Sequence, residues 1–316
     1  MKTMRIAGTD LEVSRVALGC MRLCGAPKQV IATIRAALDQ GINLFDHADI
    51  YGRGQCEEAF SAIWREVPGL REKVVIQSKC GIRFPGDPDD HAPKRYDLSY
   101  EHIVHSVDGS LRRLKTDYLD VLLLHRPDAL VEPEEVAEAF DLLHRTGKVR
   151  YFGVSNHTAA QIELLRRHVS QPLVINQVQL NALHLHLIED GIVFNQDEPL
   201  RPVRGDGTLE YCRLHDITVQ SWASLANGVV SGRAPEPTDG RLAGLAHVLK
   251  SIAGNRGVSR EAILVAWLLR HPAHIQPIIG TTQPARIRAA CEADAVELTR
   301  EEWYSIYTAG RGAEVP

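Results

Sequence analysis

Eight short apolar runs, each followed by a stretch of helical period, constrain this chain more than any other feature of its sequence. The runs occupy residues 15–19, 42–45, 74–78, 119–124, 149–154, 173–178, 217–221 and 275–279. They lack the in–out alternation of a half-exposed strand, and segments such as VLLL and VVIQ suit strands buried on both faces of a parallel sheet. The stretches between them read as helices. Over residues 28–40, Val30, Ile31, Ile34, Ala37 and Leu38 line one face, and Gly41 is placed to end the helix. Over residues 101–115, Ile103, Val107, Leu111 and Leu114 repeat the pattern, and residues 134–146 lie between Pro133 and Gly147. Thr158 with Gln161, and Thr299 with Glu302, have the spacing of capping boxes.

Eight strands alternating with helices predict an α/β fold, a (β/α)8 TIM barrel occupying residues 1–316 as one domain. A doubly wound sheet is the rival, but no GxGxxG follows the first strand. Ahead of the barrel, residues 4–7 and 11–13 flank Gly8, Thr9 and Asp10, which predicts an N-terminal β-hairpin capping the barrel bottom. Residues 81–97, rich in Pro, Gly and charge, read as a long loop. Residues 181–206 form a second long connection of mixed character, and both are expected to shape a substrate pocket.

With 316 residues, 44% of them hydrophobic, the chain can bury a large core, and its net charge of -4 gives no reason to expect nucleic acid or an anionic membrane as partner. The six cysteines (Cys20, Cys24, Cys56, Cys80, Cys212, Cys291) are scattered, which predicts reduced thiols in a cytoplasmic protein. Cys20 with Cys24, and His184 with His186, have the spacing of half a metal site but no matching second pair, so ordinary packing and no metal are expected. The N-terminus lacks a signal-peptide run, and no apolar stretch has the length of a membrane span.

A barrel enzyme assembles its site at the C-terminal ends of its strands. Asp46 ends the second barrel run, Tyr51 lies just beyond it, Lys79 ends the third and His125 the fourth, so four titratable groups share one rim. Hydride delivered to a carbonyl carbon leaves negative charge on oxygen, which requires a proton donor. Tyr51 is the expected donor, Lys79 the cation that lowers its pKa, and Asp46 the carboxylate that orients Lys79. His125 is expected to hydrogen-bond the carbonyl oxygen.

The segments GINLFDHADIYGR (41–53), VVIQSKCGI (74–82), YLDVLLLHRPDA (118–129) and GKVRYFGVSNH (147–157) resemble the signature blocks of the aldo-keto reductases, closest to a bacterial subgroup of uncharacterised oxidoreductases. The resemblance spans nearly the whole chain. It implies a catalytic tetrad of Asp46, Tyr51, Lys79 and His125, NADPH (NADP+) as the hydride donor, and a small-molecule aldehyde or ketone as substrate. By the same resemblance Ser155, Asn156 and Gln177 hold the nicotinamide carboxamide and Trp222 stacks on its ring. The block WASLANGVVSGR (222–233), including Ala223, Ser224, Leu225, Ala226, Asn227 and Arg233, matches the loop over the pyrophosphate. Gly280, Thr281, Thr282 and Arg286 match the segment that takes the 2′-phosphate, and Gly19, Cys20 and Met21 the end of the first strand, where main chain meets cofactor.

The chain departs from the family pattern in places. Ala223 replaces a Ser or Thr, Gly280 a Lys, and Ala289 and Ala290 a polar pair, so the NADPH preference rests on Arg286. Met21, His47, Phe84 and parts of 183–194 are the expected pocket residues. Two other functions are compatible with the sequence. A Schiff-base lyase would require an apolar setting that depresses the Lys79 pKa. A cofactor-bound regulatory or sensor module with little turnover, like the ion-channel subunits of this superfamily, would also retain the tetrad.

Overall fold

The structure is a computed structural model that describes residues 1–193, 206–232, 235–238 and 240–316. The expected pyrophosphate residue Arg233 lies outside the described residues, as does the end of the second long connection.

A two-stranded antiparallel hairpin, β1 (Thr3–Arg5) and β2 (Glu12–Ser14), opens the chain. The barrel strands are β3 (Ala17–Gly19), β4 (Leu44–Asp46), β5 (Val75–Cys80), β8 (Leu119–Leu124), β9 (Val149–Ser155), β10 (Leu173–Gln179), β11 (Thr218–Trp222) and β12 (Gln276–Ile279). They close as β3-β4-β5-β8-β9-β10-β11-β12 and back to β3, and every neighbouring pair is parallel. Each of the eight apolar runs supplies one of these strands. β5 and β8 are buried at every position, because the barrel interior covers one face and the helices the other.

The helices are α1 (Pro27–Asp39), α2 (Gln55–Phe60), α3 (Ile63–Glu66), α4 (Tyr100–Leu114), α5 (Pro133–Arg145), α6 (Ala159–Arg166), α7 (His186–Val193), α8 (Thr208–Leu214), α9 (Gly240–Arg256), α10 (Arg260–Leu269), α11 (Pro284–Cys291) and α12 (Arg300–Arg311). Both predicted capping boxes form, Thr158 with Gln161 on α6 and Thr299 with Glu302 on α12.

The inside of the barrel is layered. At the bottom, Ile6, Leu11 and Val13 of the hairpin pack against Ala17, Leu44, Val75, Val121 and Ile278, so the hairpin plugs that end with apolar side chains. Above this plug the filling is polar. Gln77, Gln220 and Gln276 are fully buried and Gln177 nearly so, and register places Gln177 beside Gln220 and Gln220 beside Gln276. Burying an amide is costly unless each group finds a partner, and here the amides partner one another. Gln77 Nε2 donates to Gln220 Oε1 (2.9 Å), Gln177 Nε2 to the same oxygen (3.0 Å), and Gln220 Nε2 to Gln276 Oε1 (2.9 Å).

Three expectations need correction. Residues 81–97 are not plain loop: β6 (Ile82–Arg83) and β7 (Arg95–Tyr96) pair as a small antiparallel hairpin, tied by ion pairs from Arg83 to Asp87 and Asp97. The second long connection contains α7. The thiols are not all reduced: Cys24 and Cys56 are joined as a disulfide, while Cys20, Cys80, Cys212 and Cys291 are free and buried. Among the described residues, no helix is long and apolar enough to cross a membrane.

Candidate active site

The polar layer leads upward into the rim. Asp46 Oδ1 accepts from Gln77 Nε2 (2.6 Å), Gln177 Nε2 (3.0 Å) and Lys79 Nζ (2.7 Å). Lys79, 1% exposed, also donates to the His47 carbonyl (2.8 Å) and to Tyr51 Oη (3.2 Å). All three ammonium protons are thereby assigned. Burial opposes the charge, but Asp46 and Tyr51 outweigh it, and the Lys79 pKa is held above the ordinary lysine value. A lysine in this state has no free lone pair for a carbonyl carbon, which removes the Schiff-base alternative.

Tyr51 is aimed by backbone that leaves β4 slowly. His47 N–H still donates to the Gln77 carbonyl (2.8 Å) and Asp49 N–H to the Lys79 carbonyl (3.0 Å), as though the strand continued. Tyr51 N–H then turns back to the Ala48 carbonyl (3.1 Å). Three left-handed residues follow, Gly52, Arg53 and Gly54, with φ of 57°, 54° and 89°. Only a chain with glycine at two of these positions makes this turn cheaply, and it returns the phenol over the barrel mouth. Lys79 does lower the Tyr51 pKa as expected, but the burial of the phenol acts more strongly in the opposite direction. Burial raises the value, Lys79 offsets this only in part, and the net pKa lies above that of a free tyrosine.

His125 faces the Tyr51 ring edge-on, with centroids 6.0 Å apart. Burial, Lys79 and the neighbouring Arg126 push its pKa well below the ordinary histidine value, so the ring is neutral at physiological pH. Nδ1 is buried without a partner, which leaves Nε2 as the nitrogen able to meet a substrate oxygen. The four side chains predicted for the rim are therefore brought together at one end of the barrel.

The residues expected around the cofactor divide into three groups. One is knit together beside His125: Trp222 Nε1 donates to Asn156 Oδ1 (3.0 Å), and Asn156 Nδ2 donates to Ser155 Oγ (2.8 Å) and the His125 carbonyl (3.3 Å). Asn156 holds a left-handed φ of 62°, a conformation asparagine tolerates better than most residues. A second group lies along the barrel rim. Gly19, Met21, Leu225, Asn227, Gly280, Thr281 and Thr282 are at least partly exposed, and Arg286 Nε is buried with no partner. Ala223, Ala226 and Asn227 all take left-handed φ, which gives this loop its sharp bends.

The third group is committed to the fold. Ser224 Oγ donates to the Ser221 and Ile278 carbonyls (2.8 and 2.9 Å), bridging β11 to β12. The side chain of Cys20 is fully buried, and Gln177 Nε2 is spent on Asp46 and Gln220. His47 is not a pocket residue: it is fully buried, packs edge-on against Phe60 at 4.6 Å, and its pKa is lowered to about 3 by burial and by Lys79.

Two features escaped the sequence reading. The glutamine layer was visible as a Gln within each of four apolar strands, with a second, Gln179, ending β10, but nothing local says which of them meet. Behind the Tyr51 turn, Glu57 is fully buried, accepting from Ser78 Oγ (2.7 Å) and Arg113 (2.8 Å), and beside it the Asp49 pKa is raised to about 7 by burial and by Glu57.

A buried Asp–Lys–Tyr chain with a neutral histidine at the mouth of a parallel eight-stranded barrel matches the resemblance in the sequence, and the Aldo/keto reductase family model matches residues 15–310. The chain belongs to the aldo/keto reductase family. It is 39% identical to Uncharacterized oxidoreductase YcsN of Bacillus subtilis (strain 168) over 313 residues, covering 97% of each chain. It is 37% identical to the 6-dehydroglucose reductase of Agrobacterium fabrum over 317 residues, covering 98% of this chain and 99% of that one. Among solved structures, the glycerol dehydrogenase AKR11B4 from Gluconobacter oxydans superposes with a TM-score of 0.83 at 27% identity, covering 100% of this chain and 97% of that one. The family makes the chain a carbonyl-reducing oxidoreductase of the NAD(P)H-using kind, with small-molecule carbonyl compounds as substrates.

Proposed function

We propose that this protein reduces small aldehydes or ketones to alcohols with NADPH in the cytoplasm, with Tyr51 as general acid. The observation that carries the reading is the unbroken hydrogen-bond chain from Asp46 through Lys79 to Tyr51, whose ring meets that of His125 edge-on. Bound NADPH supplies a hydride to the carbonyl carbon. His125 Nε2, neutral and donating, holds the carbonyl oxygen and stabilises its growing charge. Tyr51 keeps its proton at neutral pH and surrenders it only to an alkoxide, a far stronger base than a phenolate. The raised phenol pKa therefore does not block the transfer. Lys79, already charged, meets the phenolate left behind, and Asp46 keeps that lysine in place.

The residues present fit the cofactor. Arg286 Nε is a buried donor without a partner, suited to a phosphate, and a side chain built on Gly280 would meet nothing within 4 Å, so this stretch of rim is open. Ser155, Asn156 and Trp222 offer a polar and an aromatic wall near His125. The name of the Agrobacterium relative makes a sugar aldehyde the first substrate to assay.

In the deciding experiment, NADPH oxidation is followed with a panel of aldehydes, keto sugars and quinones, using wild type and Tyr51→Phe. The variant should lose about 10²- to 10⁴-fold in turnover while its NADPH affinity, read by fluorescence titration, stays within about twofold. Retained turnover would remove Tyr51 as the acid. Tight NADPH binding by the wild type with no turnover on any substrate would favour the regulatory or sensor function instead.

A further inference from the structure

Of the six cysteines only Cys24 is exposed. Cys20, Cys80, Cys212 and Cys291 are buried, and burial raises every one of their thiol pKa values, those of Cys212 and Cys291 to about 11 and about 12. Such thiols are poor nucleophiles. The bonded pair is placed differently. Cys24 lies in the loop between β3 and α1, and Cys56 in the first turn of α2, 32 positions later, with Cα atoms 4.3 Å apart.

The pair sits against the two segments the active site depends on. A Cβ built on Gly52, the residue after Tyr51, would lie 2.7 Å from Cys24 Sγ and 3.2 Å from Cys56 Sγ. Both sulfurs face the Met21 carbonyl oxygen, at 3.7 and 3.3 Å, at the end of the strand expected to meet the cofactor. One covalent bond thus anchors the chain two residues beyond a single 3-10 turn with three successive left-handed residues, which is otherwise held by Tyr51 N–H to Ala48 (3.1 Å), Arg53 N–H to Ile50 (3.0 Å) and Gln55 N–H to the Gly52 and Tyr51 carbonyls.

We propose that Cys24–Cys56 is a reversible thiol–disulfide modification site whose state sets the alignment of the Tyr51 turn. Its reaction partner is a dithiol reductant in one direction and a small-molecule disulfide in the other. In reduction, a thiolate of the dithiol attacks Cys24 Sγ, the sulfur of the exposed residue. The Cys24–Cys56 bond breaks, and Cys56 leaves as a thiolate that takes up a proton. The second thiol of the reductant then displaces Cys24, so two electrons and two protons pass to the protein and the reductant ends as its own disulfide. Disulfides of this kind in a reducing compartment are characteristically transient and redox-sensing. With the bond closed, Tyr51 is held within reach of Lys79. With it open, the turn loosens and the proton donor is misplaced, a loss that falls on turnover rather than on substrate binding. The effect on turnover rests on Tyr51 acting as the acid, whereas the bond and its hold on the turn do not.

The full-length protein is equilibrated with dithiothreitol or with its oxidised form, denatured in iodoacetamide, and mapped by mass spectrometry. The oxidised sample should carry four labels and the reduced sample six, the extra two at Cys24 and Cys56. In parallel, backbone amides 51–56 should exchange faster with deuterium in the reduced sample. The kcat for carbonyl reduction should fall about tenfold on reduction, with KM for the carbonyl compound within about twofold. Cys24→Ser, an exposed substitution that leaves the buried Cys56 in place, should behave as the reduced protein under both treatments. Six labels in both samples would overturn the site, and equal exchange in the two states would overturn its hold on the turn. Equal kcat with unequal exchange would overturn its control of the acid. A protein that turns over no carbonyl but shows the labelling and exchange differences would uphold the site and sink the reductase reading.

Discussion

At the scale of single residues, the site depends on charges that are fully partnered and on one that is not. Lys79 and Asp46 satisfy each other, whereas Arg286 keeps a buried Nε without a partner. A charge-assisted bond from arginine to phosphate contributes about 1.5–3 kcal/mol, so Arg286→Ala should weaken NADPH binding roughly 10- to 100-fold while NADH changes little. Fluorescence titration with both cofactors checks this, and equal losses would place the phosphate site elsewhere. Asp46, Lys79 and His125 were legible because each is a polar group where an apolar run ends, a position with few structural uses, and Tyr51 because it follows one of them closely. The glutamines were not, since a lone Gln in a strand looks the same whether it meets solvent or three other amides. Their meeting is set by barrel register, which no single strand encodes. The direction of the Tyr51 shift was equally hidden, because neighbours in sequence report charge but not burial.

At the scale of elements, the C-terminal end of α12 reaches the loop that follows β10. Gly310 lies so close that any side chain there would overlap the Ala182 carbonyl oxygen. Next to Ala182, Asn181 Nδ2 donates to the Ala223 carbonyl (3.0 Å), directly after Trp222. Arg311 and Glu189 form a buried ion pair (2.9 Å) between α12 and α7. Gly310→Ala should therefore cost about 1–3 kcal/mol of stability and raise the cofactor KM by displacing the Trp222 loop. A thermal melt and initial-rate kinetics read the two effects, and an unchanged melting temperature would show that the contact has slack. The long elements were legible, with the predicted helices 28–40, 101–115 and 134–146 each displaced by one residue from α1, α4 and α5. The hairpin of β6 and β7 was not, because two-residue strands are too short to show a period. It forms through arginine–carboxylate pairing instead.

At the scale of the whole molecule, the barrel holds an ionisable pair away from water behind the Tyr51 turn. The Asp49 pKa is raised from 3.8 to about 7, first by burial and then by Glu57. A carboxyl with a raised folded pKa binds its proton more tightly in the native state than in the unfolded chain. Its contribution is therefore fully present below pH 3.8 and is lost as pH rises toward 7. Asp49→Asn should abolish this loss, leaving the variant more stable than wild type at pH 8 by up to about 4 kcal/mol and equal to it near pH 4. Urea denaturation at the two pH values tests the sign, and a variant less stable than wild type at pH 8 would show that the ionised Asp49 is well accommodated.

The glutamine layer beneath the rim behaves in the opposite way. An amide side chain has no proton to gain or lose in water, so the dipoles that grip Asp46 from below keep the same sign and strength throughout the pH range in which the barrel is folded. In the proposed cycle Tyr51 gives up a proton and recovers it, while the amides beneath it carry no charge that could change. The barrel's centre is thus a layer whose own charge does not change with pH, set between the titratable groups at the mouth and the apolar plug at the far end.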